Sequence, residues 1–413
     1  MIFPIIVLAL VFLLIAIRQI GNFKLQIWQV MLGGSILVLV TSQISISEAV
    51  LSVNFDVILF LFGMFIIGRA MEKSGLLNHL SYRLFRNAEN INLLMVFLVF
   101  GSGIGAAFLM NDTIAIIGTP VVLLLARQHN INAKILLLAL AFSITIGSVM
   151  SPIGNPQNLL IAINGNITNS FIVFFKYLFF PTIVNLTVVY IILKLFYKKD
   201  LANREIIHIK EPLKDEKLSK LVIISLIILI FLIILKTSIV LLRIDFDLRL
   251  TYIALISCLP IILFSSKRFK ILKTIDWHTI IFFISMFILM ESVWNTGLFQ
   301  LIINKYSADI TSINMIMSVS ILLSQLISNV PLVALYLPML QHAGVGTKEL
   351  IALAVGSTIA GNVLILGAAS NIIIIQNAEK KEKKNITFWE FAKIGIPLTI
   401  INSLLYYVYL LIV

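Results

Sequence analysis

The chain has 413 residues, of which 60% are apolar and only 12% charged, about half the charged share of an ordinary soluble domain. That balance excludes a water-soluble globular enzyme and demands lipid around the fold. The net charge of +12 would point to nucleic acid in a soluble protein, but here membrane topology accounts for it and no nucleic-acid partner is expected.

Taken in chain order, Met1 to Ile17 has no basic residue before it and no small-residue cleavage site after it, so it is predicted to stay as a first helix with its N-terminus outside. Apolar runs follow at Leu25–Thr41 and Phe55–Ile67. The run Ile91–Ala126 contains Gly101, Gly103 and Gly105, then Met110-Asn111-Asp112-Thr113, and Pro120 in its return arm. From Asp112 to Ala126 a helix reaches only about 22 Å, short of a hydrocarbon core of about 30 Å. The run is therefore expected to be a re-entrant hairpin whose tip, 111–113, lies near the midplane, where polar backbone is tolerated only against protein or a cavity.

Ile135–Ile163 is interrupted by Ser148 and by Ser151-Pro152-Ile153-Gly154-Asn155-Pro156-Gln157-Asn158. Two prolines remove backbone donors and clash with the preceding turn, which leaves carbonyls without intrahelical partners. Such carbonyls, beside Asn and Ser oxygens, suit Na+, while the following half-helix offers its N-terminal amides to an anion. Phe171–Leu193 comes next, and then Tyr197–Ser219, too short to fold as a domain. Leu221–Leu242, Leu250–Phe264 and His278–Trp294 lead to a second hairpin at Ile313–His342. Its arms, Ile313–Ser328 and Pro331–Ala343, reach about 24 and about 20 Å and meet at a tip at 328–331, Ser328-Asn329-Val330-Pro331. Leu350–Ile375 carries Gly361-Asn362 and a proline-free break at 367–371, Gly367-Ala368-Ala369-Ser370-Asn371; Ile394–Val413 is last.

The fold class predicted is thus an all-α polytopic membrane protein of about ten transmembrane helices plus two re-entrant hairpins. Loops assigned to the inner side carry 25 Lys and Arg against 6 on the other side, a positive-inside pattern that puts both termini outside. The Lys380–Lys384 run then reads as a solvated inner loop. Leu76–Arg86 reads equally as an interfacial helix or an ordinary loop helix. Cys258 stands alone, so no disulfide can form. Glu291 is expected near the outer surface and His278 at a helix start. No HExxH, P-loop or intramembrane-protease motif occurs, so no enzymatic activity and no cofactor are expected.

The chain also matches itself. Ile58, Phe60, Met64, Phe65, Ile66, Gly75 and Leu76 recur 222 residues on; Asn111 and Pro120 recur at 218; Gly154 and Asn158 at 213; Phe174, Lys176 and Asn185 near 217. Four blocks in one order with drifting offsets mark an internal repeat. An odd number of crossings separates the copies, which inverts the second, as in many transporters. The predicted organisation is 1–54, N-terminal scaffold helices; 55–196, first repeat, with a broken helix at 151–158; 197–220, inner loop; 221–277, linking scaffold helices; and 278–413, second repeat.

Asn111-Asp112-Thr113 with Thr119-Pro120, Ser151 to Asn158, Ser328 to Pro331 and Gly367 to Asn371 resemble the paired hairpin tips and helix breaks of the Ion Transporter superfamily. That superfamily includes divalent anion:sodium symporters, citrate transporters, arsenite permeases and one class of Na+/H+ antiporters, and the likeness covers nearly the whole chain. The symporters' Ser-Asn-Thr tip is replaced here by Asn-Asp-Thr and Ser-Asn-Val-Pro. The resemblance implies a homodimer held by a scaffold part, with hairpins and broken helices moving as an elevator.

The expected function is secondary active transport of a small anion or oxyanion, arsenite-like, inorganic or carboxylate, across the plasma membrane with Na+ or H+ as coupling ion. The alternative is a Na+/H+ antiporter on the same fold; a channel is a rival of another class. Substrate would meet Asn111, Thr113, Asn155, Asn158, Ser328, Asn329, Ser370 and Asn371. The cation would meet Asp112, Asn111, Ser151, Gly154, Asn155, Asn329 and Gly367. Burying the Asp112 carboxylate costs about 2.5–3.5 kcal/mol even on the lenient insertion scale. It is expected either to hold the coupling ion or to cap the return helix.

Overall fold

The computed structural model describes residues 3–17, 19–20, 23–24, 26–76, 79, 85, 87–198, 214–242, 246, 248–298, 311–327, 329–382 and 386–413. The tip residue Ser328, most of Leu76–Arg86, and parts of the 197–220 and Lys380–Lys384 stretches lie outside the described residues.

Helix α1 (Phe3–Ile17) is followed by a two-residue antiparallel ladder, Gln19–Ile20 with Phe23–Lys24, and by α2 (Ile27–Val40). The short α3 (Ile46–Ser52) meets α4 (Phe55–Ser74) at a 55° bend. Two helices, α5 (Ile91–Leu109) and α6 (Asn111–Gln128), form the first hairpin, and α7 (Ala133–Val149) and α8 (Pro156–Asn164) are the halves of the first broken helix. Next come α9 (Ser170–Phe196), α10 (Glu216–Leu241), α11 (Leu250–Phe264), the one-turn α12 (Arg268–Leu272) and α13 (Trp277–Trp294). The second hairpin is α14 (Ile313–Ile327) with α15 (Asn329–His342). The second broken helix is α16 (Thr347–Ile359), two 3-10 turns at Ala360–Asn362 and Ile365–Gly367, and α17 (Ala369–Glu382); α18 (Phe388–Ile412) ends the chain.

Asparagines start many of these helices. Asn54, Asn90, Asn132 and Asn169 each offer a side-chain oxygen to an amide two or three residues on, at 3.0–3.2 Å, which satisfies a donor that the first helical turn leaves open. Among the described residues five helices, α5, α9, α10, α13 and α18, are long and apolar enough to cross a bilayer alone, and α3 with α4 makes a sixth across their bend. Parts of α2, α7, α11 and α14 are apolar but shorter. Large apolar side chains such as Phe175, Phe180, Ile227, Phe231 and Leu404 are exposed along α9, α10 and α18, as lipid contact requires.

The first return arm is longer than expected: α6 runs on past Ala126 to Gln128, about 27 Å of helix, because Arg127 and Gln128 continue its last turn. In the second broken helix the irregular stretch begins at Ala360, well before Gly367, and residues 369–371 already belong to α17.

Packing interleaves the two halves. The first hairpin rests on α7 and α17, whereas the second rests on α16 and α8, so each hairpin touches one half of each broken helix. Elsewhere α2 lies on α13, α4 on α11 and α10, and α9 on α18. Helices α5 and α7 meet backbone to backbone, for a Cβ on Gly147 would sit 2.1 Å from the Gly103 carbonyl oxygen. Polar contacts join helix ends in pairs: Lys73 with Thr274 (2.6 Å), Lys134 with Glu390 (2.6 Å) and Lys267 with Asp215 (2.6 Å), and Asn54 with Asn164 (2.7 Å) and Thr251 with Asp56 (2.6 Å). Each pair joins segments that the charge count assigns to the same side.

Asp215 ties the start of α10 to Lys267. Its carboxylate accepts from the Leu218 amide at 3.0 Å and pairs with Lys267 at 2.6 Å, and these two contacts hold its carboxyl below the ordinary carboxylate range. A depressed folded pKa gives stability that is complete above the unfolded value of about 3.9 and is lost as pH falls through the folded one. Asp215→Ala should therefore cost about 0.5–2 kcal/mol at neutral pH, and Asp215→Asn less, because asparagine still caps. In thermal melts of the detergent-solubilised chain, the gap between wild type and Asp215→Asn should close below about pH 4.

Candidate functional site

The first hairpin turns at Met110, whose φ is +67°. Immediately after it, the Asn111 amide donates to the Gly154 carbonyl at 2.8 Å, so the hairpin tip is pinned to the gap between α7 and α8. That gap, 150–155, is closed by its own side chains. Asn155 caps α8 by accepting from the Asn158 amide at 2.8 Å, and Pro156 occupies the first helical position, where a missing N–H does no harm. The Asn158 side-chain amide donates toward the carbonyls of Ser148, Val149 and Ser151 at 3.0–3.2 Å. These are carbonyls that the break deprives of helical partners.

The second broken helix crosses here. Thr358, near the end of α16, donates to the Asn158 side-chain oxygen at 3.2 Å and accepts from the side-chain amides of Asn155 at 3.2 Å and Gln157 at 3.4 Å. In α17, Asn371 donates to the Gly361 carbonyl at 2.7 Å. That bond is the counterpart of Asn158 to Ser148, with donor and acceptor each 213 residues on. Gln325 of α14 donates to the Ala360 carbonyl at 2.8 Å. A Cβ on Gly361 would lie 3.3 Å from Thr145 Cγ2 and 3.8 Å from Asn329 Nδ2, so α7, the second tip and the second break meet at that glycine. At the same offset of 213, Thr145 is the counterpart of Thr358.

Asn111, Ser151, Gly154, Asn155 and Asn158 thus form one network, and Asn329 and Asn371 gather about Gly361 with Gly367 beside Gln325. Ser370 is fully buried next to Asn371, and Ser328 lies outside the described residues. Thr113 points elsewhere in the packing: it lies against Gly68 of α4, where a Cβ would come within 2.9 Å of its methyl. Asp112 does not cap α6. The N-cap position is Met110, without a side-chain bond, and it is the Asn111 oxygen that accepts from the Asp112 amide, at 2.8 Å. Among the described residues the Asp112 carboxylate has no hydrogen-bond partner.

The two breaks differ in what they leave open. Oxygens of Gln325, Asn329, Asn362, Ser370 and Asn371 are buried without a hydrogen-bond partner among the described residues, whereas Asn155 and Asn158 have theirs. A cavity of about 460 Å³ touches the first break at Met150, Ser151 and Pro152 and is otherwise walled by apolar side chains such as Ile104, Phe108 and Phe175. Thr358 and Gln325 escaped the sequence reading because each sits inside an apolar run; the 213-residue offset from Thr145 was the available signal for Thr358. Asn185 and Asn402, matched in the repeat, touch each other at 2.5 Å between α9 and α18.

The sequence profile of the citrate transporter family matches residues 6–349. The chain is 26% identical to the silicon efflux transporter LSI3 of Oryza sativa subsp. japonica, covering 89% of each chain. It is 25% identical to an uncharacterized transporter of Mycobacterium tuberculosis, over 87% of this chain and 86% of that one. In fold it is similar to the crystal structure of the Alcanivorax borkumensis YdaH transporter, with a TM-score of 0.61 at 13% identity, covering 99% of this chain and 97% of the other.

Asn158 offers a direct test of the network. Asn158→Ala takes the side-chain donor from the Val149 carbonyl and leaves those of Ser148 and Ser151 with backbone donors alone, at about 1–3 kcal/mol. Asn158→Asp keeps the shape but is acceptor-only when ionised and sets a charge against those carbonyls, so it should be the more damaging of the two. Thermal melts and monodispersity of the purified variants measure the order.

Proposed function

Because the chain belongs to the citrate transporter family, we propose that it is a secondary active transporter of a small anion or oxyanion, coupled to Na+ or H+, working by an elevator alternation. The observation that carries this reading is the crossing of two broken helices over buried oxygen atoms that have no donor among the described residues. Such atoms are costly in lipid unless a ligand or ion completes them. The silicon efflux relative and the citrate name of the family bracket the substrate as a small, oxygen-rich species. In this reading Asn111, Asn329 and Ser370 offer it amide and hydroxyl groups, while Asn155, Asn158 and Asn371, whose side-chain amides already donate within the protein, frame the site. Oxygens from Ser151, Gly154, Gln325, Asn329 and Gly367 serve a hard cation.

Asp112 is the coupling residue in this proposal. A lone membrane carboxylate without a donor partner is at rest only when it holds a proton or a cation. The hairpins are re-entrant, their tips meeting at the midplane. They move with the broken helices against a scaffold of α1 to α4 and α10 to α13, within a homodimer of about ten crossings per subunit and with both termini outside the plasma membrane. The alternative, a Na+/H+ antiporter on this fold, draws on the same bare carboxylate of Asp112.

Proteoliposome uptake of citrate, sulfate, arsenite and silicic acid, run beside a Na+-driven pH-change assay, separates the two readings. Asp112→Asn should keep substrate binding but lower gradient-driven uptake roughly tenfold or more, about 1.4 kcal/mol of coupling. Unchanged ion dependence with only lower stability would make Asp112 structural. For topology, single cysteines at Lys267 and Val413 in a Cys258→Ser background should label from opposite sides of the membrane.

A further inference from the structure

Glu291 serves neither break, and among the described residues its half-buried carboxylate has no hydrogen-bond or ion-pair partner. It lines a cavity of about 300 Å³ between α13 and the α3–α4 bend on one side and α8 and α15 on the other. Phe287, Met290 and Glu291 are spaced at three and four residues, so they share one face of α13. On that face the carboxylate is set among apolar side chains, and Leu160 and Leu335 extend the apolar wall from α8 and α15. Among the described lining residues Glu291 is the one charged side chain.

The polar end of the cavity is tied by its own side chains. Asn54 donates to the Asn164 side-chain oxygen at 2.7 Å, and the Gln341 side-chain amide donates to the Asn164 carbonyl. These bonds join the start of α4, the end of α8 and α15, so the walls stand without a ligand, as those of most small-molecule sites do. The Asn54 oxygen is spent on the Val57 amide at 3.1 Å, and the Ser52 hydroxyl donates to the Ala49 carbonyl at 2.9 Å. Among the described residues the side-chain oxygens of Glu291 and Gln341 remain without a donor. A half-buried carboxylate against apolar walls is costly unless a cation sits beside it. A hard inorganic cation takes about six oxygens, more than these two side chains offer. An ammonium group asks for less: a carboxylate, a further acceptor and an apolar or aromatic wall.

We propose that this cavity is a binding site for a small organic cation of the alkylammonium class. Its N–H groups donate to the Glu291 carboxylate and the Gln341 oxygen, and its hydrocarbon part lies against Phe287, Leu160 and Leu335. The binding does not depend on the transport reading. The place of the cavity between the scaffold and the mobile part rests on that reading.

The test is a thermal melt of the detergent-solubilised full chain in an amine-free buffer at constant ionic strength, with potassium chloride replaced by the chloride of methylammonium, butylammonium or sodium. A ligand that binds only the folded chain raises its midpoint. Butylammonium should raise it by a few degrees and methylammonium by less, because the longer chain buries more apolar surface. Both gains should vanish in Glu291→Gln. If that variant does not fold, Ala334→Leu takes its place: it fills the cavity from the α15 wall, keeps the carboxylate, and should remove the advantage of butylammonium over methylammonium. A gain with sodium and none with the ammonium ions, an equal gain in Glu291→Gln, or no gain with any of these probes overturns the proposal. Because no step reads transport, a negative result here is separate from a failure of the transport assignment.

Discussion

Everything in this molecule depends on one constraint: backbone amides and carbonyls inside a bilayer must find partners within the protein. A continuous helix meets it by itself, and a broken one does not. The chain breaks two helices in its interior and repairs both with the same device, an asparagine early in the second half-helix that donates back to the end of the first. Asn158 serves the carbonyls of Ser148, Val149 and Ser151, and Asn371 serves Gly361. Bonds to buried carbonyls are worth most where water cannot substitute, so these two side chains are what allow a polar centre to exist in so apolar a chain.

The repair is unequal, and the inequality follows from the local sequence. In the first copy Pro152 and Pro156 fix the break, Asn155 caps the new helix, and Thr358 from the other copy closes the ring of hydrogen bonds. In the second copy the residue corresponding to Asn155 is Ala368. Two 3-10 turns replace the proline-defined gap, and the cap donor and acceptor that Asn155 supplies have no counterpart. Oxygens of Asn329, Asn362, Ser370 and Asn371 are left open there. Among the described residues, the copy without prolines is thus the one whose buried side-chain oxygens stay open, while the proline-marked break closes on its own side chains.

The sequence made the membrane class, the hairpins, both breaks and the repeat legible, because lipid enforces long apolar runs and makes any polar interruption conspicuous. Asn111, Asn155, Asn158 and Asn371 stood out for that reason. Thr145, Thr358 and Gln325 did not: a single hydroxyl or amide in an apolar run also satisfies its own helix backbone, as Thr145 does toward Ala141 at 2.9 Å, and pattern cannot tell the two uses apart. An apolar run ends where charge begins, at Arg127, whereas the α6 helix continues through Arg127 to Gln128, so hydropathy alone places that helix end too early. For Asp112 the sequence allows a helix cap; the geometry removes it, since the oxygen that meets the first-turn amide belongs to Asn111.

The interleaved packing limits how such a centre can move. The first hairpin rests on α7 and α17, and the second on α16 and α8. Asn111 is bonded to the first break, Thr358 joins the two broken helices, and Gln325 holds the second break to the second hairpin. A displacement of one hairpin alone would strip partners from carbonyls of both breaks while they remain in lipid or protein, at about 1–3 kcal/mol for each group exposed. At two places, moreover, glycine lets backbones touch: Gly147 meets Gly103, and a Cβ on Gly395 of α18 would sit 2.0 Å from the Asn362 carbonyl oxygen. Contacts of that closeness tolerate little sliding. The hairpins, the broken helices and α18 are therefore packed and bonded as one body, so neither hairpin can shift without disturbing the other.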